Sequence, residues 1–121
     1  MDLYMFASAL LLWSAVHFFG DFAFQSAWMA MMKSPLANNG DDVHPNEVLL
    51  YHCLTYTATF VIATKAFAVS ANPLAFLVIF LAHAVVDWHK ARKRLITTIW
   101  LDQTLHLLTL VPLIWLGWLP S

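Results

Sequence analysis

A chain of 121 residues has room for one domain, so we expect a single domain over residues 1–121. Apolar residues make up 61% of the chain and charged residues 11%, against roughly 25% charged residues in a typical soluble domain. A soluble fold of this size could not bury so much apolar surface, and the composition therefore predicts an integral membrane protein. The net charge of −1 indicates no class of charged partner. The single cysteine, Cys53, excludes an intrachain disulfide and a zinc site built from several thiolates.

Four segments are long and apolar enough for membrane spans, which need roughly 20 residues each. The first is too long for one upright span, so its helix is either strongly tilted or broken near Gly20. We expect no cleaved signal peptide, because Asp2 stands where such a peptide has basic residues. The predicted spans cover residues 3–32, 48–69, 73–89 and 97–118, and together they predict an all-α, four-helix membrane bundle.

Two connections separate the first three spans. Residues 33–46 form a loop rich in Pro, Asn, Asp and Gly. Pro45 suits the first turn of the second helix, since proline is tolerated where the backbone N–H has no partner in the helix. A tight turn at residues 70–72 precedes Pro73, which begins the third helix.

Basic residues mark one side of the predicted bundle. Lys33 lies in the first connection, and the third connection holds a cluster of four, namely Lys90, Arg92, Lys93 and Arg94. By the positive-inside rule both connections face the cytoplasm, which predicts an inner (cytoplasmic) membrane protein with both termini outward. Trp28, Trp88 and Trp100 would mark the inner interface. Topology accounts for the basic cluster, and we expect no nucleic-acid partner.

Polar residues that interrupt the apolar spans are the most informative feature. Three spans carry a His and an Asp four residues apart, which places both on one helix face, and the second span adds a His beside Tyr56. The seven residues are His17, Asp21, His52, His83, Asp87, Asp102 and His106. On the predicted topology all seven lie in the cytoplasmic half of the bundle. Gln25 follows Asp21 by four residues and so continues the helix face of His17 and Asp21. We therefore expect the seven residues to meet in one layer, together with Gln25 and Gln103.

Three carboxylates in such a layer need neutralisation. An Asp at the centre of a membrane helix costs on the order of 2.5–3.5 kcal/mol, and clustered carboxylates also repel one another. We expect no Lys or Arg in the layer itself, although Lys90 or Arg94 could reach in from the rim. Imidazoles are good ligands for zinc, iron or manganese. The three Asp and four His residues would suffice for one closed metal site or for two ions with open positions.

Two other interpretations of the polar layer stay open. The His and Asp residues could pair across helices as structural hydrogen bonds, each worth about 0.6–2 kcal/mol. They could also form part of a proton or ion path, for which polar groups should continue through the outer half of the bundle. Convergence of four helices at one depth favours the metal site over both.

The motifs that hold these residues resemble those of a known family. They are His17-Phe-Phe-Gly-Asp21-Phe-Ala-Phe-Gln25 with Trp28-Met29-Ala30, then His52, then His83-Ala-Val-Val-Asp87, then Asp102-Gln103-Thr-Leu-His106. Together they resemble small bacterial and phage polytopic membrane proteins catalogued as a domain of unknown function, over nearly the whole chain. That resemblance implies a membrane bundle and no particular activity. A looser likeness links the pattern to membrane-bound metal-dependent hydrolases.

The leading hypothesis is a metal-dependent hydrolase of a lipid or lipid-linked substrate. All seven His and Asp residues would bind one or two divalent ions, Asp21, Asp87 or Asp102 would serve as base, and Gln25 and Gln103 would orient ligands or substrate. The basic loop would attract an anionic substrate. A di-iron enzyme is less favoured, because the Glu-x-x-His pairs of ferritin-like sites are missing.

The alternative hypothesis is an accessory or assembly subunit of a larger membrane complex, or a homo-oligomer, in which the polar layer is structural. A proton or ion conductor is the second alternative.

Overall fold

A computed structural model of the protein describes residues 1–36, 43–93 (of Lys93 only the backbone) and 95–121. This part of the chain is helical and contains no strand, which confirms the all-α fold class. Its helices are α1 (Leu3–Phe18), α2 (Ala27–Met32), α3 (Pro45–Ala66), α4 (Pro73–Trp88) and α5 (Ile99–Trp115). Single π-helical turns extend α1 over Phe19–Ala23 and α4 over His89–Lys93. Arg94 of the predicted basic cluster and residues 37–42 of the predicted loop lie outside the described residues.

The helix starts follow the local sequence. Pro45 and Pro73 each occupy the first turn of a helix, as predicted. The Asn72 side chain accepts a hydrogen bond from Leu74 N at 3.0 Å, and His44 Nδ1 accepts one from Asn46 N at 3.2 Å. These side chains satisfy backbone donors that have no partner inside the helix. The turn at residues 70–72 therefore leads directly into α4, whose N-terminus is capped by Asn72.

The first apolar segment is broken, which decides between the two predicted alternatives. After the π turn the Phe24 amide still bonds to Phe19 O at 3.1 Å, and the chain then leaves the helix. Ser26 caps the short helix α2. The prediction that His17, Asp21 and Gln25 share one continuous helix face is therefore wrong for Gln25, which lies in the break.

The four longer helices enclose one core with two different halves. α1 contacts α3 and α5, and α4 contacts the same two helices. In one half the core is apolar, and Trp13 stacks on Phe60 with ring centroids 6.0 Å apart. In the other half the buried side chains are mostly His and Asp. Polar residues therefore concentrate at one end of the bundle interior.

The outside of the bundle is more apolar than part of its inside. Leu11, Ile62 and Trp100 are 74%, 65% and 69% exposed, whereas His17 and His52 are fully buried. Two helical segments of the described chain, Leu3–Ala23 and Pro73–Arg92, are long and apolar enough to cross a membrane. α5 is apolar but only 17 residues long, and α3 has 22 residues but a less apolar composition. The four-helix membrane bundle and its location stay predictions.

Gly20 lets the π turn approach α3, which yields a stability prediction. A Cβ at this position would lie 2.9 Å from Tyr56 Cδ2 and 3.2 Å from Thr59 Oγ1. The Tyr56 ring cannot retreat easily, because it stacks on His83 at 3.7 Å between centroids. We expect Gly20→Ala to lower the free energy of unfolding by about 1–3 kcal/mol, as overpacking does, measured by denaturant unfolding in mild detergent.

Gly117→Ala separates this steric effect from backbone strain. Gly117 has a positive φ of 69°, but a Cβ added there would meet no atom of the described residues within 4 Å. Its alanine variant should lose only about 1 kcal/mol, the cost of a left-handed conformation. A Gly20→Ala variant as stable as the original protein would contradict the close approach.

Candidate metal centre

The structure brings the seven predicted His and Asp side chains together in one buried cluster. Each of them is at most 6% exposed. They come from the first π turn, α1, α3, α4 and α5, so no single helix carries the site. Three overlapping sets of these residues could each hold a metal ion, because the ligand atoms within each set lie within 4.8 Å of one another. The sets are Asp21, His52 and His83; His83, Asp87 and His106; and Asp21, Asp102 and His106.

One group of donor atoms centres on two histidines. His52 Nε2 and His83 Nε2 lie 2.9 Å apart. Asp21 Oδ1 lies 3.3 Å from His52 Nε2 and 3.9 Å from His83 Nε2, and Asp87 Oδ2 lies 3.4 and 3.8 Å from the same atoms. Two ring nitrogens and two carboxylate oxygens therefore face one point. We call this group subsite A.

The second group lies on the other side of Asp87. His106 Nε2 is 3.5 Å from Asp87 Oδ1 and 3.6 Å from Asp102 Oδ1. All three atoms are buried, and none has a hydrogen-bond partner among the described residues. We call this group subsite B. Because Asp87 directs Oδ2 at subsite A and Oδ1 at subsite B, its carboxylate joins the two.

The distances in subsite A suit a small metal ion. Tetrahedral zinc has bond lengths of about 2.0–2.2 Å to His nitrogens and carboxylate oxygens, which separates the ligand atoms by about 3.3–3.6 Å. The separations between the donor atoms of subsite A run from 2.9 to 3.9 Å and so bracket that range. His and Asp donors together suit zinc, iron or manganese. The chemistry of the donors and their spacing therefore fit a divalent ion.

His17 lies beside these donors and has both ring nitrogens engaged. Nε2 pairs with Gln103 Oε1 and Nδ1 with the Tyr56 hydroxyl, each at 2.7 Å. The Gln103 amide NH₂ donates to Asp21 Oδ2 at 2.7 Å and to Asp102 Oδ2 at 3.1 Å. A neutral His17 therefore donates through Nε2 and accepts from Tyr56 through Nδ1. In this arrangement His17 orients the carboxylates through Gln103.

Other contacts fix the orientation of the histidines. The His83 ring is stacked between Tyr56 and His106, with centroids 3.7 and 4.3 Å away. The Gln25 amide nitrogen lies 2.9 Å from His52 Nε2. Gln25 therefore reaches the cluster although it lies outside the helix. Both predicted glutamines thus contact predicted ligands.

Two lysines also reach the cluster, and one of them contradicts the prediction that no basic side chain lies in this layer. Lys33 is buried and donates to Asp87 Oδ2. Lys90 is partly exposed and donates to Asp102 Oδ2. The prediction is wrong for Lys33 because the break in the first apolar segment folds α2 against α3, and Lys33, directly after α2, is turned inward. The Lys90 contact agrees with the expected approach from the rim.

The contacts of Lys33 and Tyr56 with the cluster were not predicted from the sequence. Tyr56 lies four residues after His52, on the same face of α3, and that spacing was the signal for a contact. Lys33 follows directly on the apolar stretch Trp28–Met32, and a lysine at that place is equally typical of a solvated rim. No local pattern in the sequence distinguishes these two situations.

Comparison with known proteins identifies a protein family for this chain. Neither a curated protein nor a solved structure was found to match the chain. A model of the family DUF3307, described as "Protein of unknown function", matches residues 8–120. This confirms the resemblance to a domain of unknown function, whereas the likeness to metal-dependent hydrolases stays a prediction. Because the match spans nearly every residue, the chain belongs to the DUF3307 family.

Proposed function

We propose that this protein binds divalent metal ions in its His/Asp cluster within a membrane and uses them to hydrolyse a lipid or lipid-linked substrate. The observation that carries the proposal is a set of three buried atoms that make no hydrogen bond to the described residues and meet only at ion-pair distance. Asp87 Oδ1, Asp102 Oδ1 and His106 Nε2 have no hydrogen-bond partner in the described part of the chain, yet they face one another at 3.5–3.6 Å. Leaving one such group unpaired costs about 1–3 kcal/mol or more. A cation in subsite B would satisfy all three.

The position of Asp87 supports two ions rather than one. Asp87 Oδ2 lies in subsite A and Asp87 Oδ1 lies in subsite B, as expected of a carboxylate that bridges two metal ions. Hydrolytic enzymes with two metals hold them about 3.5–4 Å apart. We propose His52, His83 and Asp21 as ligands in subsite A, His106 and Asp102 as ligands in subsite B, and Asp87 as the ligand common to both.

The remaining polar residues would hold these ligands in place. A bound divalent ion supplies an activated water molecule as nucleophile. His17 and Gln103 would fix the Asp21 and Asp102 carboxylates through the hydrogen bonds described above. Gln25, whose amide nitrogen lies beside His52 Nε2, would orient a ligand or the substrate. Such outer contacts orient ligands and tune a metal site. Asp21, Asp87 or Asp102 would accept the proton of the attacking water.

The apolar exterior supports a membrane setting for this chemistry. Large exposed apolar side chains cover α1 and α4, and fewer than a third of the residues in their apolar segments are buried. We propose an inner-membrane location with the basic residues on the cytoplasmic side and both termini outward. A substrate with an acyl or prenyl chain could then approach through the bilayer.

One observation favours the alternative of a structural network in a subunit of a larger complex. The connection from Tyr56 through His17 to Gln103 is fully paired and links α1, α3 and α5. Structural hydrogen bonds of this kind tie membrane helices together. The atoms of subsite B weigh against this alternative, because they are buried without hydrogen bonds to the described residues, whereas the buried polar groups of a structural network are hydrogen-bonded.

Metal content of the purified protein tests the proposal. We expect up to two equivalents of zinc, iron or manganese per chain after purification in mild detergent without chelator, measured by mass spectrometry of the metals. His83→Ala/Asp87→Ala should lose all of it. His106→Ala should lose only the ion of subsite B, because subsite A keeps its donors.

A matched control replaces the same residue types outside the cluster. Asp2 caps α1 and His89 bonds to Val85 O, so Asp2→Ala/His89→Ala should keep the full metal content. A wild-type protein that is folded by circular dichroism and yet takes up no zinc, iron or manganese on dialysis would overturn the proposal. A metal-free protein isolated in stable association with other chains would support the structural alternative.

A further inference from the structure

A cavity of about 260 Å³ lies beside the metal centre, between the end of α2 and the second π turn. It is bounded by Ala30, Lys33, Ser34, Leu36, Lys90 and Ala91. Lys33 and Lys90 are the two lysines that pair with Asp87 and Asp102. The same two lysines therefore line the cavity and contact carboxylates of the metal centre.

The donors around the cavity suit a phosphate group. Two ammonium groups offer several N–H donors, and charge-assisted hydrogen bonds to phosphate are among the strongest in proteins. The Ser34 hydroxyl donates to Ala91 O at 3.2 Å, which ties the two walls of the cavity together. Among the residues that the structure describes, no Asp or Glu lines the cavity. Its described charged lining is thus entirely basic.

Lys33 and a metal ion in subsite A would compete for one atom. Lys33 donates to Asp87 Oδ2, and the same oxygen lies 3.4 Å from His52 Nε2. An ion bound to that oxygen would repel the ammonium group. Since Lys33 already lines the cavity, its side chain could turn into that space, where a bound anion would compensate its charge in place of Asp87.

We propose that this cavity binds a phosphate-type anion, and that it does so when the metal centre is loaded. This inference rests on the proposed function. In the metal-free cluster with neutral histidines, three carboxylates and two lysines give a net charge of −1, and the lysines are engaged by Asp87 and Asp102. One divalent ion in subsite A changes the net charge to +1 and repels Lys33 from Asp87, and an ion on Asp102 in subsite B would repel Lys90 in the same way. The anion would thus be bound within reach of the metal, as the phosphate of a lipid headgroup or as free phosphate.

Inorganic phosphate tests the coupling. The protein, in neutral detergent, is compared after chelation and after loading with zinc followed by removal of excess ion, and phosphate binding is measured by ³¹P NMR titration. We expect the loaded protein to bind phosphate about tenfold or more tightly than the metal-free protein, because freed ammonium groups form charge-assisted hydrogen bonds. Equal binding in the two states would overturn the coupling.

Lysine variants test the location of the anion. Lys33→Met and Lys90→Met should each weaken phosphate binding to the loaded protein about tenfold or more. Lys65→Met is the matched control, because Lys65 is exposed near the end of α3 and lines no part of this cavity. Phosphate binding that is unaffected by both cavity variants, or equally weakened by the control, would place the anion elsewhere and overturn the proposal.

Removing the carboxylates separates this inference from the proposed function. Asp87→Asn/Asp102→Asn frees both lysines without metal, so we expect it to bind phosphate in the presence of chelator. If this variant binds phosphate while the wild-type protein takes up no metal, the anion site stands and the proposed metal site fails. If the wild-type protein is loaded with zinc and neither protein binds phosphate, the anion site fails and the metal site stands.

Bilayer nanodiscs distinguish the two sources of phosphate. Loaded protein in nanodiscs of phosphatidylcholine with phosphatidic acid should lose its binding of free phosphate, since the phosphomonoester headgroup would occupy the cavity. In nanodiscs of phosphatidylcholine alone, free phosphate binding should remain. Binding of free phosphate that is equal in both membranes would assign the cavity to the soluble anion.

Discussion

Asp87→Ala is expected to lower the free energy of unfolding of the metal-free protein by about 3–5 kcal/mol. The carboxylate is 1% exposed and accepts a hydrogen bond from the buried Lys33. Removing one partner of a buried ion pair leaves the other charge without compensation in a poorly solvated place, and losses of this size follow. Denaturant unfolding in mild detergent with excess chelator measures the loss without any contribution from metal.

A second substitution should restore most of that stability. Asp87→Ala/Lys33→Met removes both charges, so we expect it to recover at least half of the loss, and the double-mutant cycle then gives the coupling between the two residues. The matched pair Asp102→Ala/Lys90→Met should show weaker coupling, because the Lys90 side chain is 37% exposed and water screens its charge. No coupling between Asp87 and Lys33 would contradict the buried ion pair.

Gln103→Glu is expected to be the most damaging single-atom exchange in the cluster. The amide NH₂ of Gln103 donates to Asp21 Oδ2 and Asp102 Oδ2 at 2.7 and 3.1 Å. An ionised carboxyl in its place would lose both charge-assisted hydrogen bonds, worth about 1.5–3 kcal/mol each, and would face two like charges. We expect a loss of about 3–5 kcal/mol near neutral pH, again measured by unfolding with chelator.

The pH dependence identifies the cause of that loss. Protonation of the introduced carboxyl restores one donor and removes the repulsion, so the loss should shrink as the pH falls from 8 to about 5. Gln103→Met removes both donors without adding charge, so its loss should be smaller than that of Gln103→Glu near neutral pH and should vary little with pH. Equal losses for both variants at every pH would contradict a role of the amide between two carboxylates.

The site was predictable from sequence to the extent that helix periodicity controls it. A spacing of four residues places His83 beside Asp87 and His106 beside Asp102. In the structure the His83 Nε2–Asp87 Oδ2 distance is 3.8 Å and the His106 Nε2–Asp102 Oδ1 distance is 3.6 Å. The same spacing predicted that Gln25 continues the face of His17. That prediction was wrong because the π turn and the break after it change the direction of the chain. Gln25 reaches His52 all the same, from outside the helix.

The composition and order of residues determined that this chain is all-α, that its apolar surface exceeds what so small a core can bury, and that seven His and Asp residues recur at helical spacing. The tertiary structure alone decided which atoms face one another, how Asp87 divides its two oxygens between subsites A and B, and that Lys33 lies buried beside them. The physical reason is that periodicity fixes the face of a helix, whereas the contacts between faces depend on packing. The close approach at Gly20 and the break at the start of α2 set that packing here.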